Sequence, residues 1–294
     1  MAAGLHISIS AETITHIGGF PFTNSMLASV FVTGIILATA VYFYLTYKPS
    51  SKPQGFHNII EMIIESLYGL VQGVTQSKKK TELFFPYIAT FFIFICLNNW
   101  FGLLPGVGSI GFYEEEPSNH GTAQSIVPVV QAAEDGHVQQ EEPEMPTAAA
   151  AEIESTPTST TKVFVPYLRA GTADLNMTIA LAIISQIMAQ VFGFSYVGFS
   201  YLKKFFNFSN PIMTFVGLLE LMGEFTKVVS YAFRLFGNVF AGEVLLIVIT
   251  YLTKVVVPMP FYGLELFVGA IQALVFAMLS LVFFNTATIS HDEH

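Results

Sequence analysis

One stretch of this sequence decides the fold that we predict. It runs from Ser230 to Glu243 and reads Ser-Tyr-Ala-Phe-Arg-Leu-Phe-Gly-Asn-Val-Phe-Ala-Gly-Glu. It lies inside a longer run, residues 209–254, that consists mostly of Leu, Val, Ile, Phe and Met and has no proline after Pro211. Such a run is typical of a membrane helix. Because an arginine inside a membrane helix costs about 2.5–3.5 kcal/mol on insertion scales, Arg234 needs a specific reason to be there.

Polar and small residues form one stripe along this run. At about 100° of rotation per residue, positions that recur at steps of three and four share one face of a helix. The members of this stripe are Glu220, Gly223, Lys227, Ser230, Arg234, Gly237, Asn238 and Ala241. Small residues on such a face allow another helix to approach closely, so the stripe predicts a contact surface around Arg234. The alternative is static helix packing, in which Arg234 pairs with a structural carboxylate.

The composition indicates a polytopic membrane protein. The chain has 294 residues, of which 53% are hydrophobic and 11% are charged, whereas a soluble protein carries about 25% charged residues. Its single cysteine, Cys96, lies in an apolar run, which leaves no disulfide framework or cysteine-based metal site. We expect neither a metal nor a cofactor. No internal repeat is evident, which argues against a secondary transporter, since those folds are commonly built from duplicated halves.

Three segments carry a family resemblance. The segment from Arg234 to Glu243 closely resembles the signature of subunit a of F-type ATP synthases. Residues 169–178 read Arg-Ala-Gly-Thr-Ala-Asp-Leu-Asn-Met-Thr and are similar to a second motif of that family, with Gly171 where the family usually has proline. The Asn-rich, Leu-Leu-Pro ending of residues 98–105 is also similar. The resemblance covers most of the membrane part of the chain.

The resemblance implies a membrane stator subunit that conducts ions against a rotating c-ring and carries out no catalysis of its own. The implied partners are the c-ring subunits, subunit b of the peripheral stalk, the lipid bilayer and the transported H⁺ or Na⁺, with no nucleic acid. The implied location is a bacterial plasma (inner) membrane, with the mitochondrial inner membrane as the alternative. The choice between H⁺ and Na⁺ stays open, because the rotor's own site chiefly selects the ion.

We predict an all-α polytopic membrane protein with about five membrane-embedded helices and one amphipathic interfacial helix. The last two helices are expected to be long and steeply tilted, since residues 209–254 would measure roughly 69 Å as one helix, over twice the ~30 Å hydrocarbon core. The predicted segments are an outer amino-terminal segment (1–24), a first span (25–47), a cytoplasmic-side amphipathic helix (48–82), a second span (83–110), an acidic flexible outer loop (111–162), a third span (163–204) and two tilted helices that form the ion-translocating module (205–294).

The basic residues predict the orientation of the chain. When the spans are counted in order, one group of lysines falls on a single side, which the positive-inside rule assigns to the cytoplasm. This group comprises Lys48, Lys52, Lys78, Lys79, Lys80, Lys203 and Lys204. The acidic loop then lies outside, and its Glu-rich composition with Pro, Ala, Ser and Thr is typical of a flexible, solvated spacer. A cation-attracting role for this loop is the alternative.

The mechanism implied by the resemblance centres on Arg234. A rotor carboxylate must be neutral where it faces lipid, and it must ionise briefly to exchange its ion. Arg234 can stabilise the ionised carboxylate by Coulomb attraction in a low-dielectric setting. The same charge repels an ion that would otherwise cross the membrane without rotation. Arginine suits this role because it stays protonated when it is partly desolvated.

An outer access path is predicted on one side of Arg234. Glu243 lies nine residues after Arg234, and the last helix carries Glu265 and Gln272, which share a face because they are seven residues apart. In the family this pair of positions is commonly one carboxylate and one histidine, whereas both are carboxylates here. Asn238 of the stripe is a further candidate for the ion pathway.

Further polar residues are candidates for the two ends of the pathway. On the cytoplasmic side, Glu220, Lys227 and Ser230, together with Glu224, suit an inner path. The alternative for Glu220 and Lys227 is a mutual ion pair. On the outer side, Asp174 and Asn176 either line an aqueous entrance or simply cap the helix that begins there, as Asp, Asn and Thr do well.

Two other classes of function stay open at this point. A secondary transporter would use Arg234 to bind an anionic substrate and would show saturable uptake by the purified chain alone. A purely structural membrane subunit would tolerate lysine or alanine at this position. The family resemblance favours the ion-conducting stator over both.

Overall fold

Six α-helices form the framework of the described part of the chain in the computed structural model. They are α1 (Asn24–Thr46), α2 (Phe56–Thr75), α3 (Lys78–Gly102), α4 (Leu175–Val197), α5 (Pro211–Leu252) and α6 (Pro258–Ala287). The structure describes residues 11–17, 19–46, 55–108, 110–116, 161–199, 201, 205, 211–253 and 256–289. Every helix except α2 is long and apolar enough to cross a membrane. The prediction of an all-α polytopic membrane protein with about five spans is confirmed.

Local sequence signals explain where several helices begin and end. The Asp174 side chain accepts a hydrogen bond from the backbone amide of Asn176, which satisfies one of the free N–H groups at the start of α4. That helix ends at Gly198, whose φ of 69° is one that glycine adopts readily. Helices α5 and α6 each begin with a proline, Pro211 and Pro258. Proline is tolerated there because the first turn has no partner for its amide.

Helix α5 is the longest element. It has 42 residues and therefore measures about 63 Å at 1.5 Å per residue. Helix α6 follows with 30 residues. Both helices have more residues than a helix perpendicular to the membrane needs to cross a hydrocarbon core of ~30 Å. The prediction of two long final helices is confirmed, while their tilt in the bilayer stays an expectation.

Helix α2 has separate apolar and polar faces, as the sequence predicted. Its second half packs on α3 and α6 through Leu67, Val71 and Thr75, which are buried. Its first half leaves apolar side chains such as Ile59 and Met62 exposed. The predicted position of α2 in the membrane interface stays a prediction.

The core lies among α3, α4, α5 and α6. Phe84 of α3 is fully buried and contacts Phe192 of α4 and Phe284 of α6, with ring centroids 4.9 and 5.8 Å apart. Leu235 of α5 and Phe276 of α6 belong to the same cluster. Helix α1 stands to one side and packs on α3 in a smaller cluster. This packing holds one face of α5 against its neighbours.

Short strands were missed at the sequence level. Strands β1 (Thr13–Ile17) and β2 (Phe20–Thr23) form an antiparallel hairpin, β3 spans Pro105–Gly108, and β4 (Gly111–Glu116) pairs with β5 (Thr161–Pro166). The segment boundaries differ accordingly, because α3 ends at Gly102 and α4 begins at Leu175, with extended chain beyond both ends. Two-stranded ribbons are too short for a reliable alternation of polar and apolar residues.

The chain divides into two units, one of residues 1–112 with 165–294 and the other of residues 113–164. Within the second unit the structure describes only the strand segments 113–116 and 161–164. The flexible character of the acidic loop, residues 117–160, therefore lies outside the described residues, as do the lysines at 48, 52, 203 and 204. The predicted orientation of the chain stays a prediction.

Candidate functional site

One face of α5 is open and carries much of the predicted stripe. Ser230, Arg234, Gly237 and Ala241 are exposed. Between them, Ala232, Leu235, Phe236 and Val239 face the core and are buried. A Cβ added at Gly237 would meet no atom within 4 Å. The open face therefore leaves room for a helix that approaches from outside this chain.

Arg234 has no partner within the described part of the chain. It forms neither a hydrogen bond nor an ion pair with any residue that the structure describes. The alternative in which Arg234 pairs with a structural carboxylate of its own chain is therefore absent from these residues. A guanidinium on an open face of a membrane helix needs an anionic or polar partner from elsewhere, because its charge is costly in hydrocarbon.

Glu243 is held by an arginine from a distant segment. Arg169 Nε lies 3.1 Å from Glu243 Oε1, and a terminal nitrogen of the same guanidinium lies 3.1 Å from Oε2. The side chain of Arg169 is only 8% exposed and that of Glu243 is 30% exposed. The sequence did not predict this bidentate ion pair, because its two residues are 74 positions apart. The only signal was that Arg169 is a basic residue on the predicted outer side, inside the second family-like motif.

Glu265 of α6 lies against Gly242, the residue that precedes Glu243 in α5. Its carboxyl group packs directly on the backbone of Gly242, so that a Cβ at that position would overlap it. The structure thus brings Glu265 of α6 to the end of α5 that bears Glu243, as the outer-path prediction requires. Farther along α6, Gln272 is buried, and its Nε2 has no hydrogen-bond partner among the described residues. A buried amide without a partner is commonly satisfied by water, which suits a hydrated path.

Asp174 acts as a helix cap and as a tie between helices. It is 4% exposed, and its carboxylate accepts hydrogen bonds from the Asn176 amide (3.0 Å) and the Ser25 hydroxyl of α1 (2.7 Å). Nearby, Thr172 donates to the Asn99 side chain at 2.5 Å. Asp174 was predicted either to line an aqueous entrance or to cap the helix, and these contacts show that it caps the helix. The Asn176 residue is exposed.

On the other side of Arg234, Glu224 is the centre of a polar cluster. It accepts hydrogen bonds from the side-chain amides of Gln186 and Gln190 of α4, and it pairs with Lys227, whose Nζ lies 2.8 Å away. The carboxylate that pairs with Lys227 in the structure is thus Glu224, three residues before it on the same helix. Residues three apart on a helix are neighbours, whereas a separation of seven spans about 10 Å along the axis.

A cavity of about 670 Å³ adjoins this cluster between α4 and α5. Gln186, Gln190, Tyr201 and Glu224 lie in its wall with several apolar side chains. Burial, together with the negative charges of Glu224 and Glu220, raises the pKa of the Tyr201 phenol to about 12. The phenol stays protonated and donates to Gln190 Oε1 at 2.7 Å. The cavity thus offers hydrogen-bonding groups and a carboxylate about ten residues from Arg234 along α5.

The remaining predicted residues are also placed. Ser230 is exposed beside Arg234, and Asn238 is half-buried one turn beyond it. Among the described residues there is no group of three or more His, Cys, Asp or Glu side chains that could hold a metal ion.

The arrangement thus comprises an open arginine-bearing helix face between two polar clusters, built on five apolar helices. A family comparison agrees with this picture: the family described as ATP synthase A chain matches residues 26–285, which is most of the chain. The resemblance to subunit a of F-type ATP synthases is thereby confirmed, and the stator role is supported at the level of the family. This multi-pass membrane protein belongs to the ATP synthase A chain family.

Proposed function

We propose that this chain provides two ion half-channels separated by Arg234, and that Arg234 acts on a rotor-ring carboxylate to couple proton or sodium flow to rotation. The observation that carries the proposal is the exposure of Arg234 on an open helix face without a partner in the described chain. A stator arginine that served only to hold this chain together would be paired within it.

The spacing of the polar clusters supports two separate paths. Glu243 lies nine residues after Arg234 and Glu224 lies ten residues before it, which corresponds to about 14 and 15 Å along the helix axis. Neither cluster reaches across the position of Arg234. An ion that enters at one cluster therefore has to leave with the rotor carboxylate before it can reach the other.

The outer half-channel is proposed to contain Glu243, Glu265 and Gln272, with Asn238 between them and the arginine. Asp174 and Asn176 stand at its entrance, where Asp174 shapes the local structure and Asn176 is exposed. The inner half-channel is proposed to contain Glu224, Lys227, Glu220 and Ser230 beside the cavity between α4 and α5.

The proposed action of Arg234 follows from charge and geometry. The rotor carboxylate crosses lipid in its neutral form and ionises when it meets the guanidinium, which stabilises the anion in a low-dielectric site. The guanidinium keeps its charge through this exchange because its proton is held too tightly to be lost. An ion can then pass from one path to the other only while it is bound to a carboxylate of the rotating ring.

The partners and location of the chain follow from family membership as proposals. They are the c-ring, subunit b of the peripheral stalk, and the bilayer of a bacterial plasma membrane, with the mitochondrial inner membrane as the alternative. The family match favours this function over a secondary transporter that binds an anionic substrate at Arg234.

The test is ion flux through the reconstituted complex carrying Arg234→Ala. We expect ATP-driven pumping and ion-driven synthesis to vanish, with passive leak in their place, because no fixed charge then separates the two paths. Arg234→Lys should fail as well, since an ammonium is a single point charge that is more readily neutralised in a desolvated site. An immunoblot establishes that each variant is incorporated. Normal coupled flux in a fully incorporated Arg234→Ala complex would overturn the proposal.

A further inference from the structure

The last turn of α3 holds the part of α6 that carries Glu265 through two side-chain hydrogen bonds. The Asn99 amide nitrogen donates to the Gly269 carbonyl oxygen at 3.0 Å. The Trp100 indole nitrogen donates to the Leu266 carbonyl oxygen at 2.9 Å. Both acceptors are backbone atoms of α6, so these bonds hold the helix itself rather than one of its side chains.

The bond from Trp100 sets this residue apart from an ordinary aromatic side chain at the end of a membrane helix. Tryptophan is common at membrane interfaces, where its role requires no bond to another helix. The side chain of Trp100 is 38% exposed, yet its nitrogen is bonded to α6. The indole N–H can only donate, and a carbonyl oxygen has a second lone pair beside the one that its own helix uses. The Leu266 carbonyl can therefore accept from both.

The two helices also approach closely beside these bonds. Gly269 is buried, and a Cβ added to it would lie 3.1 Å from the Cβ of Asn99. This distance leaves little room for a side chain at position 269. Small residues permit such an approach between membrane helices. The α6 backbone is thus held at two neighbouring points by hydrogen bonds and at one of them by close packing.

The end of α3 is itself anchored to other elements. The Asn99 side-chain oxygen accepts a hydrogen bond from Thr172 at 2.5 Å, in the segment before α4. The Asn98 side-chain oxygen accepts one from Ser29 of α1 at 3.2 Å. Phe101 is buried in the small cluster that α3 forms with α1. Because this turn is tied on several sides, it provides a fixed point for α6.

The positions of the two bonds determine which way α6 faces. At about 100° per residue, Leu266 lies about 60° to one side of Gly269, whereas Glu265 and Gln272 lie about 40° and 60° to the other side. The bonded residues therefore face α3, and the flank with Glu265 is turned to α5, where it meets Gly242. A roll of α6 by a few tens of degrees would move this carboxyl group away from α5.

We propose that Trp100 is a positioning residue of the outer path: its indole N–H, together with the Asn99 amide, fixes the roll of α6 and so keeps Glu265 and Gln272 turned to α5. The proposal rests on the proposed function, which places these two residues in the outer path. Trp100 acts through the backbone of α6 and does not itself handle the transported ion.

The experiment measures proton flux against pH in vesicles that contain the complete reconstituted complex with Trp100→Phe, which keeps an apolar ring and removes the N–H. Flux per incorporated chain should fall by about two- to tenfold, the factor that one hydrogen bond contributes. An immunoblot gives the amount of incorporated chain. Tyr44→Phe is the control, because it removes a polar atom from an aromatic residue of α1 that is 87% exposed. It should leave flux unchanged.

The pH profile separates positioning from mere stability. The titratable groups near the Glu265 end of α6 include Glu243 of α5, and Arg169 and Asp174 lie on the segment before α4. A roll of α6 changes the surroundings of Glu265, so the pH of half-maximal flux should shift in Trp100→Phe. A residue that only stabilises the fold or anchors it at the interface would lower the incorporated amount and nothing else. Unchanged flux per chain, or lower flux with the wild-type pH profile, would overturn the proposal.

Two tryptophan analogues at position 100 isolate the N–H group. Benzothienylalanine has sulfur in place of the N–H in a ring of nearly the same shape, and it should reproduce the loss and the shift seen in Trp100→Phe. Fluorotryptophan keeps the N–H and should retain wild-type flux and pH profile. This pair also decides the matter if Trp100→Phe is not incorporated. Equal flux with the two analogues would show that the hydrogen bond plays no part.

These outcomes are distinct from failure of the proposed function. Loss of coupled flux in Arg234→Ala together with wild-type behaviour of Trp100→Phe would leave the stator mechanism intact and overturn only the positioning role. Coupled flux that survives in Arg234→Ala would overturn the stator mechanism itself.

Discussion

The two faces of α5 differ in what lies beside them. On the packed face, Gly242 has no room for a Cβ, because the carboxyl group of Glu265 occupies that space. On the open face, a Cβ at Gly237 or Gly223 would meet no atom within 4 Å. The same residue type thus occurs in two settings in one helix: at position 242 it admits a neighbour from this chain, and at position 237 it faces space that no described residue fills.

The contrast extends to the side chains between these glycines. Leu235 is fully buried in the core, whereas Phe233, two residues earlier in the same helix, is 54% exposed. Lipid is as apolar as leucine, so helices in a membrane associate through close packing rather than through a hydrophobic driving force. Burial within this chain therefore identifies the residues that hold α5 in place. Exposure combined with small size marks the residues on which we propose that a partner helix packs.

The largest effect in this comparison is expected on stability at the packed face. Leu235→Ala should lower the free energy of unfolding by about 2–5 kcal/mol, because it leaves a cavity among α4, α5 and α6. Phe233→Ala on the other face should change it by less than about 0.5 kcal/mol. Thermal unfolding of the purified chain in detergent measures both. Equal destabilisation by the two changes would contradict the assignment of the faces.

The next effect is expected on assembly at the open face. Gly237→Leu should reduce the amount of c-ring that co-purifies with the chain in mild detergent by about tenfold, equivalent to 1.4 kcal/mol of binding free energy. The thermal stability of the isolated variant chain should stay unchanged, since a Cβ at this position meets no described atom within 4 Å. Gly34→Leu on α1 is the matched control, because Gly34 also faces open space but lies off the stripe. Unaltered recovery of the ring with Gly237→Leu would show that no helix approaches closely there.

The smallest of the three effects is expected where the packed face of α5 contacts the Glu265 carboxyl group. Gly242→Ala places a methyl group where the Glu265 carboxyl lies, and that carboxyl is the end of a flexible side chain that can move aside. Stability should therefore fall by less than about 1 kcal/mol, the scale of modest overpacking. Ion flux through the reconstituted complex should fall severalfold, because Glu265 no longer occupies its place. An undisturbed flux with Gly242→Ala would remove this contact from the outer path.

Several features of the fold were predictable because they depend on one segment at a time. The lengths and apolar composition of the spans identify five membrane helices, and the long run without proline after Pro211 appears as the unbroken helix α5. The separated faces of α2 follow from its periodicity. The strands at 111–116 and 161–166 were not predicted, since each depends on a partner more than forty residues away and has little preference of its own.

The sequence alone determined that polar and small residues share one face of α5 around Arg234, because helical periodicity is a local property. Only the tertiary structure decided which of those residues are open and which groups meet them. It paired Glu243 with Arg169 and placed Glu224, rather than Glu220, beside Lys227 and the glutamines of α4. Periodicity reports how side chains are arranged around one axis. It carries no information about which faces of separate helices come together, since that is settled by packing among elements far apart in the chain.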